Sequence, residues 1–322
     1  MLSEFELIQR YFARHSVADE RLALGVGDDC ALLQPTPGMQ LAVSSDMLVS
    51  GRHFFPDADP FWLGHKCLAV NLSDLAAMGA QPLGFTLAFS LPEANPDWLE
   101  QFVAGLLQLA DQHHCRLIGG DTTKGPLNIC ITILGEQPPG SALRRDAAQA
   151  GDDIWISGTL GDARLALGAY WKEVPLNSAD HLQAALRMHR PTPRVALGMA
   201  LRGIAHAALD ISDGLAGDLE HILKRSSVGA TLELDRLPAG PVLQRQALSL
   251  RRQFTLNGGD DYELCFTAPP HHRDEVLAAA RQSDTPVTRV GSIDAAPGLR
   301  LIDAAGDPVT LAFQSFDHFT TP

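Results

Sequence analysis

The chain of 322 residues is short of positive charge, of glutamate and of paired cysteine. It carries 25 Lys and Arg against 38 Asp and Glu, for a net charge of −13 and a pI near 5.3. That deficit excludes a protein that grips nucleic acid through a basic face. The five cysteines, Cys30, Cys67, Cys115, Cys130 and Cys265, are odd in number and form no C-x-x-C pair. A zinc site or disulfide framework is therefore not expected, and a reducing cytoplasm fits best. None of the five stands in a nucleophile signature, so all are expected in the core. No basic, apolar leader precedes Glu4 and Glu6, so no signal peptide is expected. The uncharged stretch 75–92 is interrupted by Gly79, Gln81, Pro82 and Gly84. It predicts a buried helix end followed by a buried strand, not a membrane span. Standard nucleotide and protease signatures are also missing: no G-x-x-x-x-G-K-[ST], no kinase H-R-D or D-F-G, no H-E-x-x-H, and no complete G-x-G-x-x-G at 25–30.

What the sequence does have is aspartate, 27 residues against 11 Glu. Glu is the usual filler of solvated helix faces, whereas Asp prefers caps, turns and metal sites. A hydrophobic fraction of 45% excludes wholesale disorder, and the length suggests two domains. Ser3 and Glu6 form a capping-box pattern for a helix to about residue 15. Strands are expected at 41–45 and 83–91, with short apolar runs at 117–118 and 127–135. Helices are expected from Asp59-Pro60 to Gly79 and from Asn95-Pro96 to about 114. After a boundary at 138–140, strands are expected at 154–157, 207–211, 231–234 and 262–267. Helices are expected at 161–170, 179–188, 193–205, after Asp213 and at 270–282. The alternation predicts two mixed α/β domains, 1–137 and 138–322.

Many of the aspartates stand beside small residues at predicted element ends: Gly27-Asp28-Asp29, Ser44-Ser45-Asp46, Ser73-Asp74, Gly119-Gly120-Asp121, Asp210-Ile211-Ser212-Asp213-Gly214 and Gly258-Gly259-Asp260-Asp261. Glycine permits close approach of a ligand, and α/β folds bind ligands at strand C-terminal ends. Short hard-oxygen side chains suit Mg²⁺, which keeps some water and bridges to phosphate. Two carboxylates about 4 Å apart repel by roughly 4 kcal/mol at an effective dielectric near 20, so converging aspartates need cations. An Asp beside Gly is otherwise a turn or cap residue, the role assigned to Asp152-Asp153 and 303–308; Asp59 and Asp97 read as helix starts. Asp74 differs, since it interrupts a helical apolar pattern three residues after Asn71. His113-His114 and His271-His272 are expected at the surface of helix ends, while His53, after Gly51-Arg52, is a site candidate. Ser73-Asp74 and Gly119-Gly120-Asp121 echo Ser212-Asp213 and Gly258-Gly259-Asp260 at equal separation. A duplication behind that echo requires like strand orders in the two halves.

In order and spacing these segments, with 25–31, 51–54, 68–82, Thr122-Thr123, Leu215, 258–264 and 316–319, resemble the thiamine-monophosphate kinase family. Its wider superfamily includes aminoimidazole-ribonucleotide synthetase and selenophosphate synthetase. The resemblance runs nearly end to end. It implies ATP-dependent phosphorylation of thiamine monophosphate to thiamine diphosphate, the last step of thiamine diphosphate biosynthesis. Transfer would be direct, with several Mg²⁺ ions and no phosphoenzyme. By matching positions, Asp29, Ser44, Ser45, Asp46, Asp74, Asp121, Asp210 and Asp213 would bind metal or metal-bound water. Gly120, Asp121, Arg145 and Ser212 would contact ATP, and His53, Asp260 and Phe316 the thiamine substrate. The implied fold is an N-terminal domain whose sheet pairs across a homodimer, with a C-terminal domain closing the nucleotide cleft. Asp260 stands where the family often has Glu, Ser45 where Thr is common, and the aromatic at Phe316 varies in type.

The chemistry agrees with this reading. Both substrates are anions, and an Asp-lined cleft accepts them only through a metal. A phosphate nucleophile is already deprotonated at neutral pH, so no acid/base residue is needed. Catalysis would rest on positioning and charge, with Arg145 as a charge stabiliser and Phe316 stacking on a cationic ring. The competing readings are a relative with another phosphate acceptor, a metal-dependent phosphohydrolase built from the same carboxylates, and a non-catalytic binding protein.

Overall fold

Alternating side chains along one strand give it two unlike faces, and that strand organises the first half of the chain. The computed structural model describes residues 4–13 and 20–312. The backbone divides into two units, 1–75 with 80–140 and 76–79 with 141–322. In the first, α1 (Glu4–Tyr11) and a short antiparallel pair, β1 (Leu22–Leu24) and β2 (Leu32–Leu33), precede β3 (Gln40–Val49). There follow α2 (Pro60–Met78), β4 (Gln81–Leu91), α3 (Pro96–Gln112), β5 (Arg116–Lys124) and β6 (Asn128–Gln137). The last turn of α2 belongs to the second unit. Four strands form one sheet in the order β3-β6-β4-β5, with β4 and β5 parallel and the other pairs antiparallel. A parallel pair needs a crossover, and α3 supplies it.

Asn95 caps α3 as its residue type predicts, accepting from the amides of Asp97 and Trp98 with Pro96 at the first helical position. Phe102 of α3 stacks on Phe89 of β4 at 5.5 Å and on Trp98 at 5.0 Å, which pins the helix to the sheet. Leu68, Leu72 and Leu75 of α2 are fully buried with Phe85, Ile129 and Ile131. Along β3 the pleat turns Ser44, Asp46 and Leu48 to one face. On the other, Leu41, Val43 and Met47 are 49, 63 and 54% exposed.

The second unit runs β7 (Asp153–Ser157), α4 (Asp162–Tyr170), α5 (Ser178–His189), α6 (Val195–Ala200), β8 (Ala207–Asp210), α7 (Leu215–Ser226) and β9 (Gly229–Glu233). It ends with α8 (Leu248–Asn257), β10 (Leu264–Ala268), α9 (Arg273–Gln282), β11 (Val287–Asp294) and β12 (Gly298–Ile302). Its six-stranded sheet has the order β12-β9-β11-β7-β10-β8, antiparallel except for β12 on β9. Ile154, Ile156, Leu209, Leu219, Leu232 and Val290 lie in its core.

Several expectations need correction. The strand orders of the two sheets are unlike, and Asp74 lies within a helix while Asp213 lies in a loop, so the internal echo is not a duplication. β3 does not stop at Asp46 but continues to Val49, and β5 runs through Gly119-Gly120-Asp121 to Lys124 because both are paired with neighbours along that length. α6 is far shorter than 193–205: it ends at Ala200, and the chain passes into turns that include Gly203 at φ +74°. α8 was not foreseen: it lacks a side-chain cap and a Gly or Pro signal before it. Asp152 and Asp153 are not solvated turn residues. Asp153 opens β7 and is held by Arg273 and Arg289, and Asp152 accepts from Thr267 and bonds His206. Nor are all cysteines core: Cys67, Cys115 and Cys265 are buried, but Cys30 is exposed and Cys130 half-buried. The capping box depends on Ser3, which lies outside the described residues, as does Phe316 with the 316–319 tail. Among the described residues no helix is long and apolar enough to cross a membrane.

Candidate active site

In the first unit the site is built where β3 faces α2. Asn71, fully buried, donates from Nδ2 to the Cys67 carbonyl one turn back, 2.9 Å, and accepts at Oδ1 from the Asp46 amide, 3.2 Å. That brace sets β3 against the helix. One turn on, Asp74 accepts a hydrogen bond from the Ser44 hydroxyl. Ser44, Asp46 and Asp74 thus converge. Burial, and after it the charge of Asp74, pushes the Asp46 carboxyl up to about 6. Ser45 points to the other face, where its hydroxyl meets the Ile131 carbonyl at 3.2 Å and Thr132 Oγ1 at 3.0 Å.

The remaining candidates of this unit lie apart from that pair. His53 sits in the turn after β3, and its Nδ1 accepts from the Val49 amide at 3.0 Å, which puts the proton of the neutral ring on Nε2. Asp29 is exposed, and its amide donates to Asp28 Oδ1, 2.9 Å. Gly120 and Asp121 lie on β5, paired with Leu87 and Ala88, at the sheet edge opposite β3. Two strands intervene, so about 14 Å separates Asp121 from β3 at ordinary strand spacing. Gly120 takes φ +151°, and a Cβ there would lie 1.9 Å from the Leu87 carbonyl oxygen, which is why only glycine fits before Asp121.

In the second unit two Asp-bearing loops meet. Asp210 ends β8, buried at 6% exposure, and the chain turns through Ser212 and Asp213 into α7. The loop 258–262 bonds back to it: the Asp260 amide donates to the Ser212 carbonyl and the Tyr262 amide to the Ile211 carbonyl, both 2.8 Å. Asp260 and Tyr262 hold φ +64° and +50°, unusual for side chains of this size, and the Tyr262 hydroxyl donates to Asp260 Oδ1 at 3.2 Å. Asp210, Ser212, Asp213 and Asp260 are therefore brought into one region. Arg145 is exposed in the irregular stretch before β7, with its carbonyl accepting from Ser226 Oγ at 3.0 Å.

Sequence reasoning missed the residues that hold these loops. Asp218 Oδ2 accepts from three consecutive amides, Ser212, Asp213 and Gly214, at 3.0, 3.0 and 3.1 Å. Burial, offset in part by those donors, leaves its carboxyl at about 7. Both oxygens of Asp261 accept from the Gly161 amide at 2.9 Å, and burial holds its pKa well above the usual carboxylate value. Glu263, completely buried, binds Ser157 Oγ at 2.6 Å, Arg187 at 2.8 Å and Arg194 through Nε at 2.6 Å. One signal was available for Asp218: a glycine at the helix start cannot cap with a side chain, and an Asp follows four residues later.

The donor set fits Mg²⁺. Asp46 and Asp74 supply hard oxygens that repel each other without a cation, and that repulsion adds to burial in raising Asp46. No group of three or more His, Cys, Asp or Glu side chains is gathered as a metal cage among the described residues. Mg²⁺ needs none, because it takes one or two carboxylates and completes its shell with water and phosphate.

The chain matches the family described as AIR synthase related protein, N-terminal domain, over residues 27–137, and its C-terminal domain over 149–304. It is 45% identical to the thiamine-monophosphate kinase of Salmonella typhimurium strain LT2, over 99% of each chain. The chain belongs to the thiamine-monophosphate kinase family. A crystal structure of the family's member from Stenotrophomonas maltophilia K279a superposes with a TM-score of 0.87 at 49% identity, covering 96% of this chain and 98% of that one. A second solved structure of the family, AaThiL complexed with AMPPCP and TMP, has a TM-score of 0.74 at 28% identity, covering 95% and 94%.

Proposed function

We propose that this chain phosphorylates thiamine monophosphate to thiamine diphosphate with ATP, by direct transfer. The observation that carries the activity is the likeness to thiamine-monophosphate kinases over the full length, including a relative bound to an ATP analogue and TMP. The geometry supports the chemistry. Asp46 and Asp74, with Ser44 bonded to the latter, are the first candidates to hold Mg²⁺, and Asp210 and Asp213 the second pair; Asp29, Asp121 and the main chain at Ser45 complete the set. Mg²⁺ held by these residues would supply positive charge to offset that on the transferred phosphoryl group. Gly120, Asp121, Ser212 and Arg145 take the nucleotide, Arg145 as the charge stabiliser, and His53, Asp260 and Phe316 take the thiamine substrate. His53, with Nδ1 occupied, offers Nε2–H as a donor. No group need remove a proton, because the acceptor phosphate already carries its charge.

The exposed face of β3, with Leu41, Val43 and Met47, supports a homodimer in which this sheet face is covered by a second copy. The free thiols fit a reducing cytoplasm. The deciding assay combines thiamine monophosphate, ATP and Mg²⁺ and follows thiamine diphosphate. Folded protein that binds ATP yet yields no product would overturn the assignment.

A further inference from the structure

Three consecutive amides that converge on one point form a nest of the kind that binds anions. At the start of α7 that nest is made by Ser212, Asp213 and Gly214, and it is already filled by Asp218 Oδ2, at 3.0, 3.0 and 3.1 Å. The carboxylate comes from the first turn of the same helix and is only 6% exposed. Gly214 allows the turn: it takes φ +116°, and a Cβ there would approach the Asn257 carbonyl carbon to 2.9 Å. With these donors occupied, no phosphate can use them. A nucleotide must then be held here by side chains and by a carboxylate-bound cation.

We propose that Asp218 is a positioning residue, an internal acceptor that fixes the Ser212–Gly214 backbone and so orients Asp213 and Ser212 for metal and nucleotide. This rests on the reading above that those two residues serve that role. The fixed backbone also carries the second loop, since Asp260 donates to the Ser212 carbonyl at 2.8 Å. Asp suits the position. A Glu adds a methylene to a buried, packed site, and an Asn keeps one acceptor oxygen but replaces the other with an amide donor.

Two measurements test it. In the wild-type protein, hydrogen exchange at the Asp213 and Gly214 amides is slow, although neither lies within a strand or helix ladder; exchange as fast as in an exposed loop overturns the proposal. In Asp218→Ala, the Mg²⁺ concentration needed for half-maximal binding of a non-hydrolysable ATP analogue, read by calorimetry, rises about tenfold or more, as for loss of a group that orients a metal ligand. Asp218→Asn falls between. A folded Asp218→Ala with an unchanged Mg²⁺ midpoint overturns it, as does a loss that only tracks the unfolded fraction. If neither variant folds, the exchange measurement decides alone. A wild-type protein that makes no thiamine diphosphate defeats the proposed function, while the Mg²⁺ midpoint and exchange still judge Asp218.

Discussion

The two units use the same side chain in opposite ways. In the second, buried carboxylates are answered from within: Glu263 by Arg187 and Arg194, Asp153 by Arg273 and Arg289, Asp218 by three amides, Asp162 by the amides of Val242 and Leu243. In the first, half-buried Asp46 stands near Asp74, and desolvation first and then the charge of Asp74 raise its carboxyl. A balanced carboxylate holds a fold together. One whose nearest strong charge is another carboxylate is poised for a cation from outside. Burial differs as well: Asp153, Asp162 and Asp218 are buried, whereas Asp46 and Asp74 are half-buried.

That contrast can be broken experimentally. The largest effect is expected for Asp46→Asn: kcat/KM falls by about three orders of magnitude, on the scale of losing one key electrostatic group, while the melting temperature in chelator does not fall. A loss of folding in chelator would move Asp46 to the structural class. Glu263→Ala should do the reverse. It strands two guanidiniums and costs about 3 kcal/mol in urea denaturation; a cost under about 1 kcal/mol would mean that the arginines find other partners. Smaller is the pH response of the metal-free protein. Asp46 has a folded pKa near 6 against 3.8, so it binds its proton more readily folded than unfolded, and stability rises as pH falls from 7 towards 4. Between pH 7 and 5 the gain from this group is about 1 kcal/mol, and it disappears in Asp46→Asn. Asp218, near 7, adds to the same slope, so a flat profile in the wild type would refute both. Least is expected of Asp303→Ala, where a turn carboxylate accepting from the Ala305 and Asp307 amides is lost, about 0.5–1 kcal/mol by thermal melting.

Much of the fold was legible because local chemistry and tertiary context agree. Asn95-Pro96 starts a helix by capping and by a fixed φ, and Asp59 does so by accepting from the Trp62 amide. The strand 81–91 follows from an uncharged run that has to be buried. Where the sequence misled, the deciding partner was remote. Gly119-Gly120-Asp121 looks like a loop but is held as strand by β4. Asp152-Asp153 looks like a turn but meets Thr267 and Arg273 more than a hundred residues on. α8 has no local start signal.

The site divides in the same way. The Gly- and Ser-flanked Asp residues from which the metal site is proposed stand out in the sequence itself, because hard oxygen and close backbone approach are written in residue type. Only the tertiary structure decided which carboxylates are answered by arginines and amides of the same unit, that Ser44 and Ser45 face opposite sides of one strand, and that Asp218 and Glu263 anchor the loops on which Asp213 and Asp260 stand. The reason is that charge balance and pleat direction depend on what lies across the sheet or beneath the loop, and no run of neighbouring residues encodes that.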